Sequence, residues 1–506
     1  MDYLIGLDIG TTAEKMALFD TKGTLLAVST QEYDLITPKL NWVEEKAEVY
    51  WDAFKAAISD IKSQYSISPE NDRFSLAISA QGETLFFLDE NGKNLRNAIV
   101  WMDNRADDEA AALKDAFGDD ECYRVTGQVS FEPCWPASKI LWVKNNEPEV
   151  FEKTRTFALI EDYFIWRMTG KWVAEGSLVC STTYWDIINK VYWKEMLDFI
   201  GIDEAQLPPV HESGEIVGMI DPSVGKELGL GKNVTVCTGC LDQVAGAMGA
   251  GNIKEGMFSE NIGAALAICV PVNKPVFDPA RRMPLHYFAI PGMYMIHTFT
   301  NGGMTLRWFR DKFCQLEMET EKLSSIDAYD ILGNEAAKCP AGSDGLVMLP
   351  HLSGSLAPDV NSKAKGVWFG FTLQHTKAHF VRAIMESLGY IIKRNIDSLA
   401  DMGIKVGNIR SMGGGSKSKI WNQIKSDILG LEITTVKSKE AASLGAAILA
   451  GKAVGLFPSV EAAVAGMVEE KDTYYPNTEN SKVYGDGYAM YKKLFADLTS
   501  SFNMTE

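Results

Sequence analysis

Residues 1–20, MDYLIGLDIGTTAEKMALFD, set a carboxylate and a small polar loop between two apolar stretches. The apolar runs at 3–7 and 16–19 predict two buried strands joined by this loop. Asp8 ends the first strand, where burial of a carboxylate is costly unless it has a partner. Gly10 permits a tight turn at the same place. We predict a β-hairpin whose tip either binds phosphate oxygens through N–H donors while the acid holds a metal ion, or is an ordinary capped turn.

The size and charge of the chain limit the classes of protein to which it can belong. Its 506 residues are enough for about two to four domains, and 46% of them are hydrophobic. The net charge of −18 is spread along the chain and argues against a nucleic-acid or anionic-membrane partner. No basic region precedes an apolar segment at the N-terminus, and no apolar run approaches the roughly 18 residues of a membrane span. We therefore expect a cytoplasmic protein.

The eight cysteines and six histidines give no metal-binding signal. Cys237 and Cys240 form one C-x-x-C without a second pair to complete a zinc site, which favours reduced thiols near a strand end. His375 and His379 are spaced i, i+4, but no acidic ligand lies nearby in the sequence. A packing or surface role is therefore favoured for both.

Strand and helix patterns alternate along the chain, which is typical of an α/β protein. Three successive strands followed by helices are predicted near the N-terminus, at 3–9, 14–20 and 24–31. The same order returns in the second half, with strands at 257–262, 266–270 and 293–298. The Pro- and Gly-rich segment 207–231 is predicted to be a bridge. We predict two domains, residues 1–245 and 246–506, which face each other across a cleft.

Three Gly-rich turns follow predicted strands, at 10–12, 263–265 and 413–415. Phosphoryl transfer requires backbone donors around the phosphates, a metal ion to offset their charge, and a carboxylate that accepts the proton of the acceptor hydroxyl. Asp8 and Asp242 both lie at strand ends near these turns. Asp242 suits the role of base because the small residues that follow it let a ligand approach. The alternative is that Asp242 is a helix N-cap, and the two roles are compatible.

Residues 79–105, SAQGETLFFLDENGKNLRNAIVWMDNR, place polar groups and one aromatic ring at strand ends or in loops. Such a set is suited to binding several hydroxyl groups, and its members are Gln81, Glu83, Trp101, Asp103 and Arg105. The alternative is a hairpin with a solvated DENG tip and a salt bridge between Asp103 and Arg105.

Taken together, these stretches resemble the FGGY family of carbohydrate kinases, which includes glycerol kinase, xylulokinase and ribulokinase. The resemblance covers nearly the whole chain. The matching motifs are LDIGTTAEK (7–15), NAIVWMDNR (97–105), TGCLDQVAGAMGAG (238–251), the long segment 346–390, MGGGSKSKIWNQIKSDILGLEI (412–433) and KEAASLGAAILAG (439–451). The resemblance implies two actin-like ATPase domains of the ribonuclease H-like type, with ATP and Mg²⁺ bound between them.

The resemblance also implies a role for each matching position. Asp242 would be the general base, and Asp8 and Asp242 would lie at the Mg²⁺ site. Contacts with ATP would come from Thr11, Thr12, Lys15, Gly263, Ala264, Gly303, Gly414 and Gly415. The acceptor substrate would be bound by Gln81, Glu83, Trp101, Asp103, Arg105 and Gln243.

The chain departs from the family pattern in two places. Ala264 and Ala265 follow Gly263, where the family usually has a Thr. In the acceptor segment, Glu83 and Thr84 resemble glycerol kinase more than xylulokinase. Gly82, however, stands where glycerol kinase has an Arg, and Cys134 stands where it has an aromatic hydroxyl.

We expect an ATP- and Mg²⁺-dependent kinase of a small sugar or polyol, with a pentulose such as xylulose as the acceptor. The alternatives are a glycerol or erythritol kinase, or an autoinducer-type kinase, which GMTLRWFRDKFC (303–314) resembles. Two further alternatives are a non-catalytic relative that binds nucleotide or sugar, and an actin-like ATPase without a small-molecule acceptor. No nucleic-acid or membrane partner is expected, and a homodimer is possible because relatives are often dimers.

Overall fold

The computed structural model describes residues 1–504, which form two large mixed sheets and the helices that cover their faces. Residues 1–249 contain the strands β1 (Asp2–Ile9), β2 (Ala13–Phe19), β3 (Leu25–Glu32), β4 (Glu44–Glu45), β5 (Arg73–Ala80), β6 (Leu85–Leu88), β7 (Ala98–Ile99), β8 (Thr156–Leu159), β9 (Ala174–Glu175), β10 (Trp185–Asp186), β11 (Val191–Tyr192), β12 (Val210–His211), β13 (Ile216–Met219), β14 (Val234–Cys237) and β15 (Cys240–Leu241). The helices of this part are α1 (Ala47–Gln64), α2 (Asp107–Phe117), α3 (Asp119–Thr126), α4 (Pro136–Asn146), α5 (Pro148–Lys153), α6 (Ile160–Thr169), α7 (Gly176–Val179), α8 (Lys194–Ile200), α9 (Pro222–Leu228) and α10 (Asp242–Gly249).

The second part of the chain repeats the mixture of strands and helices. Its strands are β16 (Met257–Ile262), β17 (Ala265–Val272), β18 (Leu285–Tyr287), β19 (Tyr294–Asn301), β20 (Val347–Leu349), β21 (Val367–Phe369), β22 (Asn408–Gly413), β23 (Ile433–Val436) and β24 (Glu470–Tyr474). Its helices are α11 (Met304–Phe313), α12 (Gln315–Ser324), α13 (Ala328–Ala336), α14 (Lys377–Asp401), α15 (Lys419–Leu429), α16 (Ala441–Ala453), α17 (Val460–Met467) and α18 (Ser481–Phe502).

The two large sheets share one arrangement of their central strands. In the first sheet β3, β2 and β1 form an antiparallel meander, and β5 and β14 continue the sheet parallel to β1. In the second sheet β19, β17 and β16 form the meander, and β22 and β23 continue parallel to β16. The predicted α/β fold with two similar sheet-containing domains is confirmed.

The apolar pattern of the sequence explains why the first sheet is buried on both faces. Residues 3–7 of β1 are all buried, as expected for a strand with helices on either side. Helix α1 covers β2 and β3 with one apolar face. That face consists of Tyr50, Trp51, Phe54, Ala57, Ile58 and Ile61, which recur at intervals of three and four residues.

Helices α10 and α16 join the two halves of the molecule. Helix α16, from the second half, packs on β1 and β5 of the first sheet and also on α10, which contacts β17 of the second sheet. The two helices lie so close that a Cβ atom on Gly445 would be only 2.0 Å from the carbonyl oxygen of Ala245. Only glycine allows this approach. The domain boundary at 245/246 falls within α10 and stays a prediction.

The structure also bears on the remaining expectations about cysteines and membranes. All eight cysteines are free thiols, and Cys237 and Cys240 are both buried at strand positions. His375 and His379 bond to backbone and side-chain atoms around the start of α14. Within residues 1–504 there is no group of three or more His, Cys, Asp and Glu side chains arranged for a metal ion. No helix in this range has the length and apolar character needed to cross a bilayer.

Candidate active site

Asp8 and Asp242 lie at the same edge of the first sheet. Asp8 is paired in register with Ser79 of β5, and on the other side of β5 Ser79 is paired with Cys240 of β15. The Cα atoms of Asp8 and Cys240 are therefore two strand spacings apart, ~10 Å. Asp242 follows two residues later. This separation suits two carboxylates that approach one triphosphate from different sides.

Asp242 is the first residue of α10, and Leu241 takes the N-cap position. Asp242 is therefore not the N-cap residue of α10, in contrast to the alternative interpretation. Burial, with the negative charges of Asp8 and Glu83, raises the pKa of Asp242 to about 7 against the opposing effect of hydrogen bonds from Gln243. A carboxylate with a pKa near neutrality is suited to accept and release a proton at physiological pH.

Asp8 is held by its neighbour on β5. Its Oδ1 atom accepts a hydrogen bond of 2.7 Å from the Ser79 hydroxyl. Burial raises the pKa of the Asp8 carboxyl, the Ser79 hydrogen bond and the charge of Lys15 lower it, and the charge of Glu440 raises it. Asp8 therefore lies within electrostatic range of both Asp242 and the Lys15–Glu440 pair.

The first predicted phosphate loop connects β1 to β2. The Gly10 N–H donates to the carbonyl of Ala13 at 3.0 Å and closes the turn, and Thr12 at its tip is exposed. The Lys15 ammonium lies on the strand after the turn, 3.2 Å from the Glu440 carboxylate at the N-cap of α16. This ion pair joins the first sheet to a segment from the second half of the chain.

Trp101 connects the predicted acceptor segment to this loop. Its indole N–H donates to the Thr11 hydroxyl at 2.8 Å, and its backbone N–H donates to the Thr84 hydroxyl at 3.2 Å. Gln81 lies under the loop: its backbone N–H donates to the carbonyl of Ile9 and its side chain to the carbonyl of Gly10. The structure thus brings Thr11, Gln81 and Trp101 together.

Glu83 occupies a special backbone position in the same segment. Its φ of +57° is uncommon for a residue other than glycine. Burial raises the pKa of the Glu83 carboxyl, while a Ser181 hydrogen bond and the charge of Lys139 lower it. The charge of Glu83 also raises the pKa of Asp242, so the two carboxylates lie within electrostatic range of each other.

Asp103 and Arg105 are directed towards each other. Both side chains are fully enclosed, and Arg105 donates from Nε and Nη2 to the two carboxylate oxygens of Asp103 at 2.9 and 2.7 Å. Arg105 also pairs with Glu44 at 2.8 Å and lies 4.1 Å from the ring centre of Trp42. The salt bridge of the alternative interpretation is therefore present. A direct contact of this pair with the acceptor stays a prediction.

The predicted ATP contacts of the second half meet at the ends of β16 and β22. The Gly303 N–H donates to the carbonyl of Gly263 at 2.9 Å, and a Cβ atom on Gly303 would lie 2.5 Å from that oxygen. Gly263 and Ala264 are exposed at the β16–β17 turn, and Gly414 is exposed at the end of β22. Gly415, by contrast, is buried against Ile262. The backbone of this turn is exposed, and its contact with nucleotide stays a prediction.

Comparison with models of known protein families identifies the family to which the chain belongs. The family model for the N-terminal domain of the FGGY family of carbohydrate kinases matches residues 3–249, and the model for the C-terminal domain matches residues 268–454. The chain belongs to the FGGY family. It is a carbohydrate kinase whose second substrate, as in the family, is ATP.

Relatives within the FGGY family differ in the substrate that their names state. A gluconokinase from Bacillus subtilis (strain 168) is 30% identical over 483 residues, which are 95% of this chain and 93% of that protein. A xylulose kinase from the same strain is 30% identical over 498 residues, 98% of this chain and 97% of that protein. The crystal structure of ligand-bound xylulose kinase from Lactobacillus acidophilus has a TM-score of 0.90 at 27% identity and covers 99% of both chains.

Three residues that contact the candidate site were missed in the sequence. Ser79 holds Asp8, Glu440 pairs with Lys15, and Lys139 donates to backbone carbonyls of the acceptor segment. No local signal in the sequence indicates Lys139, because Lys139 and Lys144 both flank the apolar run 140–143 of α4. Ser79 and Glu440 act through contacts between segments that are far apart in the sequence.

Proposed function

We propose that this kinase transfers the γ-phosphoryl group of ATP to a hydroxyl of an uncharged five-carbon ketose such as xylulose, with Asp242 as the general base. The supporting observation is the position of Asp242 at the sheet edge shared with Asp8, within electrostatic range of Glu83. This position supports a site that the proposed base shares with the predicted phosphate loop and acceptor segment.

In this mechanism Asp242 accepts the proton of the acceptor hydroxyl as the hydroxyl oxygen attacks the γ-phosphorus in line. The bond between the γ-phosphorus and the bridging oxygen breaks, and ADP leaves. Glu83 and Trp101 orient the sugar, and the Gly10–Thr12 turn and Lys15 hold the phosphate oxygens. The Asp8 and Asp242 carboxylates are the hard oxygen ligands that Mg²⁺ prefers, so they would hold the ion. When bound, Mg²⁺ offsets the charge of the phosphates.

The charges around the site favour a neutral acceptor over an aldonate. A sugar carboxylate placed beside Asp242 and Glu83 would be repelled by both. The two buried cations at the acceptor segment already have protein partners: Lys139 of α4 donates to backbone carbonyls of the segment, and Arg105 pairs with Asp103. Xylulose therefore suits this site better than gluconate, although relatives named for each are equally similar to this chain.

A panel of acceptors tests the proposal. ATP consumption is measured with xylulose, ribulose, glycerol, erythritol, gluconate and a furanone precursor of the autoinducer type, each over a range of concentrations. We expect the highest kcat/KM with a pentulose and at least tenfold less with gluconate. A preference for gluconate would overturn the charge argument. Sugar-independent ATP hydrolysis would instead favour an actin-like ATPase.

Replacement of Glu83 by Gln is expected to weaken acceptor binding. The substitution keeps the shape of the side chain but removes the charge that accepts sugar hydroxyls, and a hydrogen bond to a charged group contributes about 1.5–3 kcal/mol. We expect the acceptor KM to rise about 10- to 100-fold and the ATP KM to stay within about twofold. Glu90→Gln, at the exposed tip of the same hairpin, is the matched control. An unchanged acceptor KM in Glu83→Gln would contradict the assignment.

The rate is expected to depend on pH through Asp242. A general base works only when deprotonated, and burial raises the pKa of Asp242 to about 7 in the ligand-free protein. Because kcat/KM reports groups of the free enzyme, we expect it to fall about tenfold per pH unit below that value and to level off above it. Initial rates between pH 5 and 9 at constant ionic strength measure the profile. A profile that stays flat down to pH 5 would contradict this role for Asp242.

A further inference from the structure

Lys139 is a fully buried lysine whose partners are backbone carbonyls. It lies in α4, and its ammonium donates to the carbonyl oxygens of Glu83 at 3.0 Å, Val100 at 3.0 Å and Trp101 at 3.3 Å. Its three N–H donors therefore match three acceptors. Two of those carbonyls belong to the residues that the proposed function places at the acceptor.

The absence of a carboxylate partner distinguishes Lys139 from a structural ion pair. The salt bridges among residues 1–504 do not include Lys139, whereas the equally buried Lys425 pairs with Glu260. A buried ammonium without an ion-pair partner is costly, and hydrogen bonds to three carbonyls are its compensation. The Lys139 ammonium is thus a positive charge without an ion-pair partner, and it lies where the loop with Glu83 meets the loop with Trp101.

The two loops tied by Lys139 are the acceptor loops. One contains Glu83, whose positive φ needs support from its surroundings. The other contains Trp101, whose indole N–H reaches the Thr11 hydroxyl of the phosphate loop. A displacement of the carbonyls held by Lys139 would therefore move both the carboxylate and the indole that face the sugar.

The charge of Lys139 also acts on Glu83. It lowers the pKa of the Glu83 carboxyl against the effect of burial and so favours the ionised form. Burial lowers the pKa of Lys139 itself to about 8. The neighbouring Cys134, Glu83 and Asp103 raise it, and Arg105 lowers it. These are the titratable and charged groups that face the ammonium.

We propose that Lys139 is the positioning residue of the acceptor site, which sets the backbone at Glu83 and at Val100–Trp101 so that the sugar-binding groups face Asp242. The proposal rests on the proposed function, because that function places the acceptor at these residues. It predicts that loss of the ammonium weakens acceptor binding selectively and loosens two loops that are distant in sequence.

Lys139→Met tests the proposal, because methionine keeps the apolar stem and removes all three donors. We expect the acceptor KM to rise at least tenfold while the ATP KM stays within about twofold. Amide hydrogen exchange should become faster in the segments 82–85 and 99–103 and stay unchanged elsewhere in residues 1–249. Lys144→Met, one helical turn and a residue further along α4, is the matched control and should change neither quantity.

Four outcomes separate this inference from the proposed function. Equal changes in both KM values, or unchanged exchange in the two segments, would overturn the role of Lys139. If Lys139→Met does not fold, the same measurements are made on Lys139→Gln. If neither variant folds, Lys139 is needed for folding, and a role limited to positioning is overturned. If the wild type phosphorylates no acceptor, the proposed function fails. Faster exchange confined to the two segments would then still support the backbone role of Lys139.

Discussion

Asp242→Asn is expected to abolish turnover while leaving the fold intact. The amide keeps the size and polarity of the side chain but cannot accept the acceptor proton at neutral pH. Loss of a positioned base typically lowers the rate about 10²- to 10⁴-fold, so kcat should fall by at least this factor. The melting temperature should not decrease above pH 7, because substitution removes a buried charge that is repelled by Asp8 and Glu83.

The measurements that check this expectation are kcat with the best acceptor, ADP affinity by calorimetry, and the melting temperature. Asp162→Asn is a suitable control, since burial raises the pKa of Asp162 to about 8 and its carboxylate accepts a hydrogen bond from the Leu159 N–H. That variant should keep both turnover and nucleotide binding. A kcat of Asp242→Asn near that of the wild type would show that another group is the base.

The central strands could be predicted from the sequence. The position of Asp8 and Asp242 at one sheet edge could be predicted as well, because both acids lie at strand ends. Carboxyl ends of neighbouring parallel strands lie at one edge of a sheet, so Asp8 near the end of β1 and Asp242 directly after β15 lie at the same edge once β1, β5 and β15 are neighbours. The strong apolar pattern of residues 3–7 made β1 recognisable.

Other features could not be predicted because they depend on weak local patterns or on distant contacts. The segment 207–231 was predicted to be a bridge, which is wrong: it contains β12, β13 and α9, whose short strands at a sheet margin resemble loops in sequence. The pairing of Lys15 with Glu440 joins residues on different halves of the chain. No local pattern indicates which carboxylate such a lysine meets.

The acceptor segment shows how two interpretations of one stretch can both describe part of the structure. Asp103 and Arg105 form the enclosed salt bridge, whereas Glu83 and Trp101 are only partly buried and are connected to Asp242 and Thr11. The enclosed pair holds the loop in shape, and the partly buried residues remain available to a ligand. Burial, which the sequence alone does not give for loop residues, separates the two roles.

Asp8→Asn is expected to lower kcat and to change the pH dependence of the remaining activity. The amide still accepts the Ser79 hydrogen bond but loses the charge that would hold Mg²⁺, and metal-ion stabilisation of a transition state is worth several kcal/mol, about 10²- to 10³-fold in rate. The negative charge of Asp8 also raises the pKa of Asp242, so its removal lowers that pKa. The acid limb of kcat/KM should therefore move to lower pH.

The shift of the acid limb distinguishes an electrostatic role of the Asp8 charge from a structural role of the Asp8 side chain. Ser79→Ala is the comparison variant: it removes the hydrogen bond that lowers the pKa of Asp8 but keeps the carboxyl group, so the acid limb should move less than in Asp8→Asn. The kcat/KM for ATP of both variants is measured across the same pH range as for the wild type, because this quantity reports groups of the ligand-free protein. If the acid limb stays fixed in Asp8→Asn, the charges of Asp8 and Asp242 do not interact across the sheet edge. The mechanism depends on a base that lies close to the phosphate loop, and that arrangement would then be wrong.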